Sequence, residues 1–210
     1  MKKGLTEIVL ILDRSGSMEE TKKDAEGGLK NFVDKQKETP GECVLTFYRF
    51  DTIIECVFAE KKLADITKDD LILDPRGGTA LLDAEGKAIT EVGQRLSEKP
   101  EDQRPEHVIV VIVTDGEENS SKKFSVQDIN EMITKQRDIY KWEFIYIGAN
   151  QDAIATAVKM GIAPGNALTY SQNRVGTQSS YAAVAMATSR VRTGSTAAFT
   201  QAERDSSFKN

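Results

Sequence analysis

A chain of 210 residues, 39% of them hydrophobic and only two of them cysteine, is long enough for one α/β domain and too poor in cysteine for a disulfide-held scaffold. Its 33 acidic against 28 basic side chains leave a formal charge of −5, which argues against a general nucleic-acid binder, because neutralising phosphates needs a basic face. No run reaches the roughly 18 apolar residues of a membrane span and two thiols suit a reducing compartment, so a cytoplasmic protein without membrane contact is expected.

The Met1-Lys2-Lys3 start carries the charge of a secretory leader. The apolar run behind it, Ile8 to Leu12 between Glu7 and Asp13, is shorter than the roughly 7–15 residues a leader needs and reads as a core strand. A helical pattern follows, with Met18, Ala25, Leu29, Phe32 and Val33 on one face, and it stops at Pro40-Gly41. Cys43 to Phe50 and Ile53 to Phe58, parted only by Asp51-Thr52, predict an antiparallel hairpin at a sheet edge. That turn sets Cys56 opposite Phe47, and both cysteines read as buried thiols. A polar stretch from Glu60 to Asp70 leads to the Pro75-Arg76-Gly77-Gly78 loop and to a helix from Thr79 to Ser97.

After a charged loop at Pro100 to Pro105 comes the strongest strand, His107 to Val113. A helix (Val126 to Ile139), a strand (Trp142 to Ile147), a helix (Asp152 to Met160) and a short strand (Ala167 to Tyr170) continue the alternation. Trp142, Phe144 and Tyr146 recur every second residue and mark one core-facing side of their strand. Tyr181 to Arg192 reads as a last helix. The order predicts an α/β, Rossmann-like doubly wound fold with a mostly parallel sheet of about six strands, one antiparallel edge strand and helices on both faces. A single domain over 1–192 and a loose C-terminal tail over 193–210 complete the expected organisation.

In an open parallel sheet, ligands bind at the carboxyl ends of strands, where strand order reverses. Asp13 follows the first buried strand and Asp115 the strongest one, so the two face one crevice if those strands are neighbours. Ser15 and Ser17 follow in the tight Asp13-Arg14-Ser15-Gly16-Ser17 turn, and Thr79 follows two glycines. Two carboxylates and three hydroxyls, without imidazole or thiolate, make an all-oxygen set that suits Mg²⁺ or Mn²⁺ and disfavours zinc.

Asp13-x-Ser15-x-Ser17, Thr79 after Gly-Gly, and Thr114-Asp115-Gly116 after an apolar strand together resemble the von Willebrand factor type A (vWA) domain, in the three loops of its metal-ion-dependent adhesion site. The strand–helix order is similar from about Thr6 to Ser171, and the chain looks like the small stand-alone forms of bacteria and phages. The resemblance implies a divalent ion held by the hydroxyls of Ser15, Ser17 and Thr79 and, directly or through water, by Asp13 and Asp115. It implies a binding module, not an enzyme, whose sixth metal position takes an Asp or Glu of a protein partner. Small intracellular relatives often work beside AAA+ ATPases, which makes such a system a candidate partner.

Other readings stand beside these. Ser15 or Ser17 can cap the following helix. Asp83 reads as a support of the ion or as a solvated helix residue. Arg14 and Arg76 steer an acidic partner to the ion or are ordinary solvated arginines. Glu117 and Glu118 repel acidic ligands, or one of them fills the open metal position. His107, at the far end of its strand, is structural, which removes a Ser–His–Asp triad. A Mg²⁺-dependent phosphohydrolase is the enzymatic alternative, although Ser15 stands where its second carboxylate belongs; a metal-free scaffold is the third.

Overall fold

The computed structural model describes residues 1–149 and 152–208. Six strands form one sheet: β1 (Lys2–Asp13), β2 (Glu42–Phe50), β3 (Ile54–Lys62), β4 (Pro105–Thr114), β5 (Glu143–Ala149) and β6 (Ala167–Tyr170). Their order is β3-β2-β1-β4-β5-β6, and every neighbouring pair is parallel except β2 with β3. The helices are α1 (Lys22–Glu38), α2 (Leu81–Glu98), α3 (Val126–Tyr140), α4 (Ala153–Lys159), α5 (Arg174–Arg192) and α6 (Gln201–Ser207). This is the predicted doubly wound arrangement, and the strand order reverses between β1 and β4.

The continuous apolar runs follow from burial on both faces. Ile8, Leu10 and Leu12 of β1 join Ile109, Val111 and Val113 of β4 in the core beneath α1 and α5. Val9, Ile11, Val110 and Ile112 point the other way, into the core beneath α2 and α3. Each such side chain contributes about 1.5–3 kcal/mol on burial, so the two central strands anchor the domain. Trp142, Phe144 and Tyr146 share the second core, as their alternation indicated. Among the described residues, no helix is long and apolar enough to cross a membrane.

Several details differ from expectation. Cys56 pairs with Tyr48, while Phe47 faces Phe58, because the β2–β3 register shifts near Phe47. Cys56 is consequently exposed and only Cys43 is buried. The last long helix begins at Arg174, not Tyr181, because the Asn173 side chain caps it by accepting the Gly176 N–H at 2.8 Å. A polar first turn hid that start.

The sequence predicts a loose tail from Thr193, but the segment carries α6. Ala197 and Phe199 are buried, a Thr200–Glu203 capping box opens α6, and Glu203 pairs with Arg190 of α5 at 2.8 Å. Apolar residues there are sparse and unevenly spaced, with Ala197, Ala198 and Phe199 in one run, so no helical period is legible. Residues 209 and 210 of that segment lie outside the described residues.

Candidate metal centre

β1 and β4 run side by side with Leu12 opposite Val113, so Asp13 and Asp115 emerge at the same end of the sheet, at the point where strand order reverses. Asp13 is fully buried. Its Oδ1 accepts the Ser15 N–H at 2.6 Å and its Oδ2 accepts the Thr114 hydroxyl at 2.6 Å. Two bonded donors fix the carboxylate plane and still leave each oxygen a lone pair.

The turn after Asp13 places Ser15 and Ser17 in the same crevice. A 3₁₀ turn over Gly16–Glu19, opened by Met18 N–H to Ser15 O at 3.0 Å, sets their hydroxyls 3.0 Å apart. Ser17 Oγ also donates to Asp115 Oδ1 at 2.7 Å. The capping reading fails here, because neither the 3₁₀ turn nor α1 receives a side-chain cap.

Thr79 reaches the crevice from the third loop. Asn119 Oδ1 accepts its N–H at 2.9 Å, and its carbonyl accepts the N–H groups of Asn119 and Ser120. Gly116 reveals where the hydroxyls meet. A Cβ on Gly116 would stand 3.0 Å from Thr79 Oγ1, 3.6 Å from Ser17 Oγ and 3.8 Å from Ser15 Oγ. One point thus lies within reach of all three hydroxyls. The structure therefore brings together Asp13, Ser15, Ser17, Thr79 and Asp115, all five residues singled out from the sequence.

The electrostatics match this convergence. Burial pushes the Asp13 carboxyl up to about 6 against the pull of the Thr114 and Ser15 hydrogen bonds, and the nearby Asp115 adds to the rise. Burial likewise raises Asp115, partly offset by Ser17. Among the described residues no Lys or Arg pairs with either carboxylate. Two buried carboxyls without a counter-charge, ringed by hydroxyl oxygens, are a donor set that a hard divalent cation would satisfy. Among the described residues no three His, Cys, Asp or Glu converge, so hydroxyls must supply most of such a set.

Other sequence readings need correction. Arg14 is buried and steers nothing: its Nε donates to Asp51 at 2.9 Å and its Nη1 to Glu55 at 2.9 Å. Arg76 is half exposed, but its Nε also holds Asp51, at 3.0 Å. Glu118 fills no metal position, since its Oε2 accepts the Leu82 N–H at the start of α2 and its Oε1 accepts the N–H groups of Ser120 and Ser121. Asp83 is buried, not solvated, and its carboxylate is turned to the loop after β4. It accepts the N–H groups of Lys122, Lys123 and Phe124, which lowers its carboxyl despite the opposing effect of burial.

Gln172 joins the site without any sequence motif to mark it. It follows β6 by two residues and its Nε2 donates to Asp115 Oδ2 at 2.7 Å. Its position at the carboxyl edge of the sheet was the available signal, but a lone glutamine after a weak strand carries no motif.

No protein-family model and no curated protein sequence matches the chain. Solved structures do. Proximal thread matrix protein 1 of the mussel byssus superposes with a TM-score of 0.64 at 18% identity, over 89% of this chain and 46% of that one. A von Willebrand factor type A protein from Catenulispora acidiphila gives 0.62 at 16% identity, over 89% and 42%. A mutant of the PilB minor pilin from Streptococcus sanguinis gives 0.63 at 11% identity, over 90% and 62%. This chain thus spans about half the length of the first two. Another structure of the mussel protein has a zinc-occupied MIDAS motif; it gives 0.57 at 20% identity, over 79% and 41%. The fold defined by these strands and loops is that of the vWA domain.

Proposed function

We propose that this protein is a divalent-cation-dependent protein-interaction module. Ser15, Ser17 and Thr79 would hold the ion with their hydroxyls, and Asp13 and Asp115 with their carboxylates. The observation that carries this reading is the convergence of three hydroxyls beside two buried carboxylates that lack a counter-charge among the described residues. Mg²⁺ or Mn²⁺ fits the all-oxygen set, and zinc in the mussel neighbour supports divalent occupancy of such a site in this fold.

When bound, the ion supplies a Lewis-acidic position for an incoming carboxylate. The chain's own residues do the rest. Thr114 and the Ser15 amide hold Asp13 in orientation, and Ser17 and Gln172 hold Asp115 from both sides. Two carboxylates balance a divalent cation without overwhelming it, so an Asp or Glu of a protein partner can complete the coordination.

Thermal unfolding of metal-stripped protein with Mg²⁺ or Mn²⁺ titrated in tests the site. An ion at 100 times its Kd adds about 2.7 kcal/mol of apparent stability, and Asp13→Ala should abolish the rise. Capture of acidic peptides, lost with EDTA and in Thr79→Ala, tests the partner chemistry. No metal-dependent rise in the wild type would refute the reading. Phosphatase turnover that survives Ser15→Ala but not Asp13→Ala would replace it with the hydrolase.

A further inference from the structure

Asp51 lies in the turn of the edge hairpin, outside every motif of the metal centre, yet it is almost fully buried. Its Oδ2 accepts Arg14 Nε at 2.9 Å and Arg76 Nε at 3.0 Å. Its Oδ1 accepts the Ile53 N–H at 2.7 Å, and its backbone carbonyl accepts the Ala80 N–H at 3.1 Å. One residue of the hairpin therefore touches both chain segments that carry the hydroxyls. Arg14 sits between Asp13 and Ser15, and Arg76 and Ala80 bracket Thr79.

The two loops already meet through their main chains, with Gly16 N–H to Gly77 O at 3.1 Å and Arg76 N–H to Arg14 O at 2.8 Å. These bonds join the loops through backbone at Arg14, Gly16, Arg76 and Gly77, not at the hydroxyl-bearing residues Ser15, Ser17 and Thr79 themselves. The Asp51 carboxylate adds a side-chain link between the same loops, where two guanidiniums converge on a single oxygen. Gly77 is packed against it at φ +66°, and a Cβ there would stand 3.5 Å from Asp51 Cβ. Charge-assisted bonds of this kind are about twice as strong as neutral ones and strongly directional.

We infer that Asp51 is a positioning residue of the metal centre. By holding Arg14 and Arg76 on one carboxylate oxygen, it sets the separation between the Ser15–Ser17 hydroxyls and the Thr79 hydroxyl. This rests on the metal-centre reading above. Residues one shell removed from an ion commonly change its affinity by about 10- to 100-fold.

The test is Mn²⁺ affinity, by calorimetric titration, in the wild type, Asp51→Asn, Arg76→Gln and the double variant. Asp51→Asn keeps the shape and the acceptor for Ile53 but sets an amide donor against the guanidiniums. Its Kd should rise about tenfold or more, and the double variant should be no weaker than Asp51→Asn, because both changes act through one carboxylate. A purely structural role would lower the melting point of the metal-free protein and leave the Kd of the folded fraction within about threefold. That result, or independent additive effects, overturns the inference while the wild type still binds Mn²⁺. Failure of the wild type to bind Mn²⁺ overturns the metal centre itself, and this role with it. Should Asp51→Asn not fold, Arg76→Gln decides alone: it keeps the buried Arg14–Asp51 pair, and an unchanged Kd there is equally fatal.

Discussion

The Ser17 hydroxyl donates to Asp115 Oδ1 across 2.7 Å although 98 residues separate the two in sequence. The contact exists because β1 and β4 are adjacent and parallel, so the loops that leave them open on one crevice. It also restrains a carboxylate that burial makes unfavourable, since Asp13 and Asp115 stand close and neither meets a cation among the described residues.

That cost predicts opposite effects of Asp115→Asn on stability and on binding. Removing one of two neighbouring buried charges should raise the midpoint of the metal-stripped protein by about 2–4 °C, which corresponds to about 1 kcal/mol at this chain length. The asparagine oxygen still accepts from Ser17, and Gln172 can turn its own oxygen toward the new amide. The rise on adding Mg²⁺ should vanish. Calorimetry with and without the ion reads both effects, and a destabilised metal-stripped variant would show that Asp115 is not strained.

The five clustered residues were legible because each sits at the end of a readable element. Asp13 and Asp115 close two uninterrupted apolar strands, and Thr79 follows a Gly-Gly break before an amphipathic helix. Gln172 and Asp51 were not legible, because their roles depend on where β6 and the β2–β3 turn lie in space. Arg14 was misread for the same reason. A sequence shows an arginine beside the site, whereas its burial depends on Asp51 and Glu55, more than thirty residues away. α6 was missed because Ala197 and Phe199 reach the core from a connecting segment that has no helical period.

Gly116→Ala tests the hydroxyl convergence directly. The added methyl would stand 3.0 Å from Thr79 Oγ1 and would occupy the space between it and the two serine hydroxyls. Crowding of this degree costs about 1–3 kcal/mol, and acting against the ion it should lower metal affinity by about 5- to 150-fold. Circular dichroism should report an unchanged fold. Normal Mg²⁺ affinity in this variant would mean that the ion binds elsewhere.

Glu85 provides a pH test away from the candidate metal centre. It lies on α2, fully buried, and neither of its oxygens has a hydrogen-bond partner among the described residues. Burial pushes its carboxyl from the ordinary 4.5 up to about 8, and the nearby Glu118 adds to the rise. Between those two values the folded chain keeps a proton that the unfolded chain releases. Stability therefore falls as pH rises through this window and levels off above about 8. Glu85→Gln removes the titration. It should raise the melting point by more than about 4 °C at pH 9 and change it little at pH 5. Parallel pH profiles of variant and wild type would show that Glu85 is paired or solvated.

Asp83→Ala links the stability of a loop to the placement of Thr79. The Asp83 carboxylate accepts three consecutive N–H groups, of Lys122, Lys123 and Phe124, and its own N–H donates to Ser121 Oγ at 3.0 Å. The same loop, a few residues earlier, holds Thr79 through Asn119 and Ser120. Truncation leaves three amides without their acceptor, a loss of about 1–3 kcal/mol, and frees the segment that grips Thr79. Hydrogen exchange at Lys122 to Phe124 should accelerate, and the melting point should drop by about 2–10 °C. Mg²⁺ affinity should fall less than in Thr79→Ala, since the hydroxyl remains and only its support is loosened. Equal losses of affinity in the two variants would place Asp83 in the metal centre itself, whereas unchanged exchange would show that the loop is held by Glu118 alone.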